Sequence, residues 1–121
     1  MPKVVHFEIP IQDPKRAIPF YEKVFGWKIE GWGGGDGYWL CTAGPDEEPG
    51  INGALMLGTP IDGGTINTLG VPSIAEYRAK VTEHGGKVVG EIQTIPGVGL
   101  FCYCMDTEGN KFGIIEMVQG A

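Results

Sequence analysis

HFEIPIQDPKRAIPFYEKVFGWKI, residues 6–29, carries a strand, a helix and the opening of a second strand in one run, and its punctuation decides the fold. The overlapping segment VVHFEIPI is rich in β-branched and aromatic side chains, which predicts a strand over about residues 3–11. Asp13 followed by Pro14 predicts a helix start, because the carboxylate can accept from an orphan amide and proline at the first helical position loses no bond. Ala17, Phe20, Tyr21, Val24 and Phe25 then recur at helical spacing until Gly26 ends the turn. Pro19 conflicts with this locally, since it removes an interior helix bond.

Working outward, short strands are predicted at Trp27–Glu30, Tyr38–Thr42 and Ala54–Leu57, separated by the glycine cluster 33–35 and the polar loop GPDEEPG at 44–50. The order βαβββ then repeats. TINTLGV from Thr65 reads as a strand, and Ser73 with Glu76 forms the capping box of a helix bearing Ile74, Tyr77 and Val81, stopped by Gly85 and Gly86. Lys87–Thr94, Gly99–Met105 and Lys111–Val118 supply three more strands, the last two joined by the turn DTEG at 106–109. The helix-to-strand junctions FGWKI at 25–29 and HGGKVV at 84–89 match at an offset of 59. A ferredoxin-like domain would need a second helix among the later strands. The expectation is an α+β fold of two tandem βαβββ units, about 3–58 and 64–119, in a single domain over 1–121, with sheets curling around a cleft and helices outside.

The length of 121 residues excludes two large independent domains, and 42% hydrophobic with 20% charged residues is an ordinary globular balance. The formal charge is −6, and no Lys or Arg lies between Lys28 and Arg78, where seven acidic side chains sit. Such a stretch repels phosphate, so no nucleic-acid partner is expected. No run approaches 18 apolar residues, and no charged-then-apolar leader opens the chain, so no membrane partner is expected and a cytoplasmic location is. Cys41, Cys102 and Cys104 cannot all pair within one chain and suit reduced, buried thiols.

HFEIPIQDPKRAIPFYEKVFGWKI at 6–29, with its FY pair at 20–21 and FGW stop, and DTEGNKFGIIE at 106–116 together resemble the vicinal-oxygen-chelate superfamily of glyoxalase I, extradiol dioxygenases and bleomycin-resistance proteins. The resemblance implies the paired βαβββ fold and, in metal-dependent members, a divalent ion held by four positions, commonly His, Glu, His and Glu. The first of these falls on His6. The second falls near GINGALM at 50–56, where there is no Glu, the third on Thr65 or Ile66, and the fourth on Gly113. With three donors missing, one imidazole does not hold a divalent ion, so neither metal nor other cofactor is expected.

Glu8 shares strand parity with His6 and is the candidate second member of an acid/base site. His6 reads most simply as a buried or half-buried structural side chain satisfied by one neighbour, and secondly as a cleft residue that offers a hydrogen bond or proton. His84, before a glycine pair, reads as an exposed helix-end residue. Trp32, Tyr38 and Trp39 flank the triple glycine and are candidates for a cleft wall. GWGGGDG lacks the strand-turn-helix setting of a phosphate loop, and Asp36 within it disfavours an anion. Cys102 and Cys104 should share a strand face about 6.6–7 Å apart. If the 106–109 turn pairs Met105 with Asn110, that face also carries Gly113, which makes the thiols packing groups or ligand contacts.

These features predict a protein that binds a small neutral or cationic molecule in a metal-free apolar and aromatic cleft, lined by Trp32, Tyr38, Trp39, Cys102, Cys104 and Gly113. The alternative is a metal-independent or weakly metal-dependent lyase- or isomerase-like enzyme that uses His6, with Glu8, as acid or base. Apolar strands in two small units also predict a homodimer.

Overall fold

The computed structural model describes residues 2–58 and 64–118. In chain order the elements are β1 (Lys3–Ile11), α1 (Pro14–Phe25), β2 (Lys28–Gly31), β3 (Tyr38–Thr42), β4 (Gly53–Leu57), β5 (Ile66–Gly70), α2 (Ile74–Glu83), β6 (Lys87–Ile95), β7 (Gly99–Met105) and β8 (Lys111–Met117). This is βαβββ twice, an α+β fold. Internal contacts divide the chain into two compact units, with breaks between Val5 and His6 and between Thr65 and Ile66.

In the first unit the strand order is β2-β3-β4-β1, with β1 parallel to β4 and the other pairs antiparallel. Asp13 caps α1 by accepting from the Lys15 amide, and Gly26 closes it in the left-handed region at φ 72°. Pro19 sits inside α1 without ending it; its missing hydrogen bond is tolerated because one face of the helix is anchored by tertiary packing. Ala17, Ile18 and Tyr21 of α1 cover Ile9, Ile11, Ile29, Trp39, Cys41 and Leu55 of the sheet. Phe7 lies on this side too, its ring against Trp27 and flat over Gly53 of β4. A methyl at Gly53 would stand 2.5 Å from that ring, so only glycine lets β1 and β4 pair here.

In the second unit the order is β5-β8-β7-β6, with β5 parallel to β8. The Ser73 hydroxyl accepts from the Glu76 amide at the start of α2, and Glu116 Oε1, from β8, accepts from the Ile74 amide at 2.9 Å. Ile74, Tyr77 and Val81 of α2 pack on Leu100, Cys102, Cys104, Phe112 and Ile114.

The β7–β8 register differs from the expected one by a residue. Met105 pairs with Lys111 instead of Asn110, and Cys102 stands opposite Ile114 while Tyr103 stands opposite Gly113. Asn110 belongs to the turn: Asp106 accepts from the Glu108 amide and from both the amide and the side chain of Asn110, which makes a five-residue connection. A slip of one residue exchanges the faces of a strand. Both thiols therefore face α2 and not the side that carries Gly113.

Candidate acid/base site

Strand alternation puts His6, Glu8, Tyr38, Leu40, Ala54 and Met56 on the face of the first sheet turned away from α1. Glu8 is opposite Ala54, which is in turn opposite Leu40, while Met56 is opposite Tyr38. Ala54 carries only a methyl, which leaves room for the long phenol of Tyr38 to cross β4. The Tyr38 hydroxyl donates to Glu8 Oε2 at 2.6 Å, and the same oxygen lies 2.9 Å from His6 Nε2. Three groups from two strands that are not neighbours thus form one hydrogen-bonded chain.

Glu8 is 5% exposed, a depth at which an ionised carboxylate needs hydrogen bonds to survive. His6 is half-buried, and burial lowers its pKa while the Glu8 charge partly opposes that shift. An imidazole with a lowered pKa is neutral at pH 7 and available as a base. Its Nδ1 makes no hydrogen bond to the described residues.

Beside this chain lies the Trp32 ring, 5.3 Å from that of Tyr38, and 41% exposed. Gly34 closes over the Trp32 ring so tightly that any β-carbon there would overlap it. Of the aromatic trio, Trp32 and Tyr38 are brought together. Trp39, one residue after Tyr38, points the other way and packs in the α1 core.

The remaining candidates, Cys102, Cys104 and Gly113, lie in the second unit. The two sulfurs are 4.0 Å apart and fully buried. Desolvation raises the pKa of each, that of Cys104 to about 12, so both are protonated thiols. Gly113 faces the other side, opposite Thr68, and a β-carbon on it would lie 2.6 Å from the Phe101 ring and 2.9 Å from Thr68 Oγ1.

The sequence profile of the Glyoxalase/Bleomycin resistance protein/Dioxygenase superfamily matches residues 3–114. The chain belongs to that superfamily. Solved structures similar to this superfamily member include a protein of Bacillus halodurans C-125, 18% identical over 99% of this chain and 97% of the other, with a TM-score of 0.70. The methylmalonyl-CoA epimerase of Mycobacterium tuberculosis is 14% identical over 95% and 87%, with a TM-score of 0.66. That of Streptomyces coelicolor, in a single-site variant bound to 2-nitronate-propionyl-CoA, is 12% identical over 96% and 97%, with a TM-score of 0.71. At these identities the likeness shows the fold. No curated protein sequence is a significant match.

The metal that the superfamily resemblance implies does not fit this chain's donors. Around His6 the partners are one carboxylate and a phenol, and among the described residues no three His, Cys, Asp or Glu side chains converge to hold an ion. At Gly113, where a fourth ligand would stand, the Phe101 ring fills the space.

What sequence reasoning missed is the role of Tyr38 as the link between His6 and Glu8. Parity paired the latter two, but the strand order that carries the phenol over Ala54 is a tertiary fact with no local signature.

Proposed function

We propose that this protein is a lyase- or isomerase-like enzyme that moves a proton on a small carbonyl compound without a bound metal, with His6 as acid/base and Glu8 as the charge behind it. The observation that carries this reading is the His6–Tyr38–Glu8 chain on the helix-free sheet face. A neutral imidazole can take a proton from a carbon beside a carbonyl and return it, and a buried carboxylate linked through a hydroxyl steadies the imidazolium in between. The epimerases of similar fold lend support, since inverting a stereocentre next to a thioester carbonyl is the same kind of proton transfer. Their substrate is not carried over. A CoA thioester is polyanionic, whereas the 29–77 stretch that supplies Trp32, Tyr38 and Met56 has no Lys or Arg. A neutral or cationic substrate fits that charge.

Sequestration of a ligand without turnover is the second reading, favoured by the exposed Trp32 and Leu40 on either side of Tyr38. A panel of small carbonyl and aromatic compounds, ranked by thermal shift and followed by mass spectrometry with wild type and His6→Ala, separates the two. Product formed by wild type and lost in His6→Ala supports the enzyme; a stabilising ligand recovered unchanged supports sequestration. Both readings are compatible with a homodimer, for which the exposed Phe20, Val24 and Phe25 of α1 supply apolar surface; light scattering tests it.

A further inference from the structure

A phenol has one proton to give. That of Tyr38 goes to Glu8 Oε2 at 2.6 Å, so toward His6 Nε2, 2.9 Å away, the Tyr38 oxygen can only accept. We infer that Tyr38 is a positioning residue that holds neutral His6 as its Nε2–H tautomer and so makes Nδ1 the atom that takes and returns the substrate proton. This rests on the proton-transfer reading and deepens it by naming the reacting atom and the residue that selects it.

The chain of donors runs Nε2–H to Oη–H to carboxylate. When Nδ1 gains a proton, the positive ring keeps its Nε2–H bond to Tyr38, and the phenol, polarised by Glu8, accepts it more strongly. No bond has to be remade during the transfer. The reverse chain, with a protonated Glu8 giving to Tyr38 and Tyr38 giving to Nε2, would bury the basic nitrogen in the network and leave Nδ1–H facing the substrate. The reverse chain holds one more proton, on Glu8, and on the imidazole the two arrangements differ in which nitrogen carries the proton.

Two-bond proton–nitrogen NMR correlations on the 15N-labelled full chain at pH 7.5 read that position directly, with His84 as an exposed internal reference. The expected wild-type spectrum shows His6 with a protonated Nε2 and a lone-pair Nδ1. In Tyr38→Phe, which keeps the ring against Trp32 but lacks the acceptor, both His6 nitrogens should move toward averaged values, and kcat should fall at least tenfold with KM little changed. Glu8→Gln, whose amide oxygen still accepts from the phenol, should keep the wild-type tautomer. A proton on Nδ1 in wild type overturns the inference, as does an unchanged His6 spectrum in a folded Tyr38→Phe. If that variant does not fold, the wild-type spectrum alone decides. A turnover defect is separable: an Nε2–H tautomer in a protein that turns over nothing sinks the proposed function and leaves the tautomer standing.

Discussion

Tyr38, on β3, donates to Glu8 on β1 at 2.6 Å while β4 runs between the two strands. The contact spans two strand spacings, and it is possible because the intervening position on this face is Ala54. It commits a buried carboxylate to a phenol and, through the same oxygen, to an imidazole.

The first consequence is a pH dependence of stability with a defined sign. Burial holds the His6 pKa below the ordinary 6.5. The unfolded chain therefore binds the proton first on acidification, so the stabilisation is complete above about pH 6.5 and declines as pH falls toward the folded-state value. Thermal melts at a series of pH values should show this decline in wild type and not in His6→Gln. Because the Glu8 charge raises the folded-state His6 pKa, Glu8→Gln should leave the onset of the decline unchanged and make it deeper, extending it to lower pH.

Gly53 is a close-packed point next to the site. Gly53→Ala places a methyl 2.5 Å from the Phe7 ring, one residue from both His6 and Glu8. The expected cost is about 1–3 kcal/mol, as for other overpacked positions, measured by urea denaturation. The tyrosine and tryptophan fluorescence should change with it, since Phe7 leans on Trp27.

Thr68 offers a gain. Its hydroxyl is buried with no hydrogen-bond partner among the described residues, in a residue only 1% exposed. Thr68→Val replaces that orphan with a methyl of the same shape, and stability should rise by about 1 kcal/mol in the same denaturation assay. An unchanged or lower stability would show that the hydroxyl is satisfied in solution.

The unit order, both helix caps and the His6–Glu8 parity were legible in the sequence because each follows from neighbours within a few residues. The register of β7 against β8 was not. It turned on whether Asn110 ends the turn or starts the strand, and three hydrogen bonds to Asp106 decide that. Proximity along the chain groups Trp39 with Tyr38, yet adjacent strand residues face opposite sides of the sheet. The Gly53–Phe7 contact depends on the β1–β4 pairing, which joins residues about one unit apart and leaves no periodic trace.

The thiols should be silent in the native protein. Cys41, Cys102 and Cys104 are at most 1% exposed, and desolvation raises Cys41 to about 11 and Cys104 to about 12. A thiol-specific chromogenic reagent at pH 8 should label none of the three within minutes in buffer and all three in denaturant. Rapid native labelling of Cys102 or Cys104 would contradict their position beneath α2.

The most direct test of the account is deuterium uptake from heavy water at the carbon next to the carbonyl, across a panel of small neutral and cationic carbonyl compounds, in the presence of a strong chelator. Wild type should exchange at least one compound with chelator present, and His6→Ala should lose roughly 100- to 10,000-fold of that rate, the usual weight of a general base. Absence of exchange across the panel, exchange abolished by chelator, or exchange undiminished in His6→Ala would contradict metal-independent proton transfer by His6.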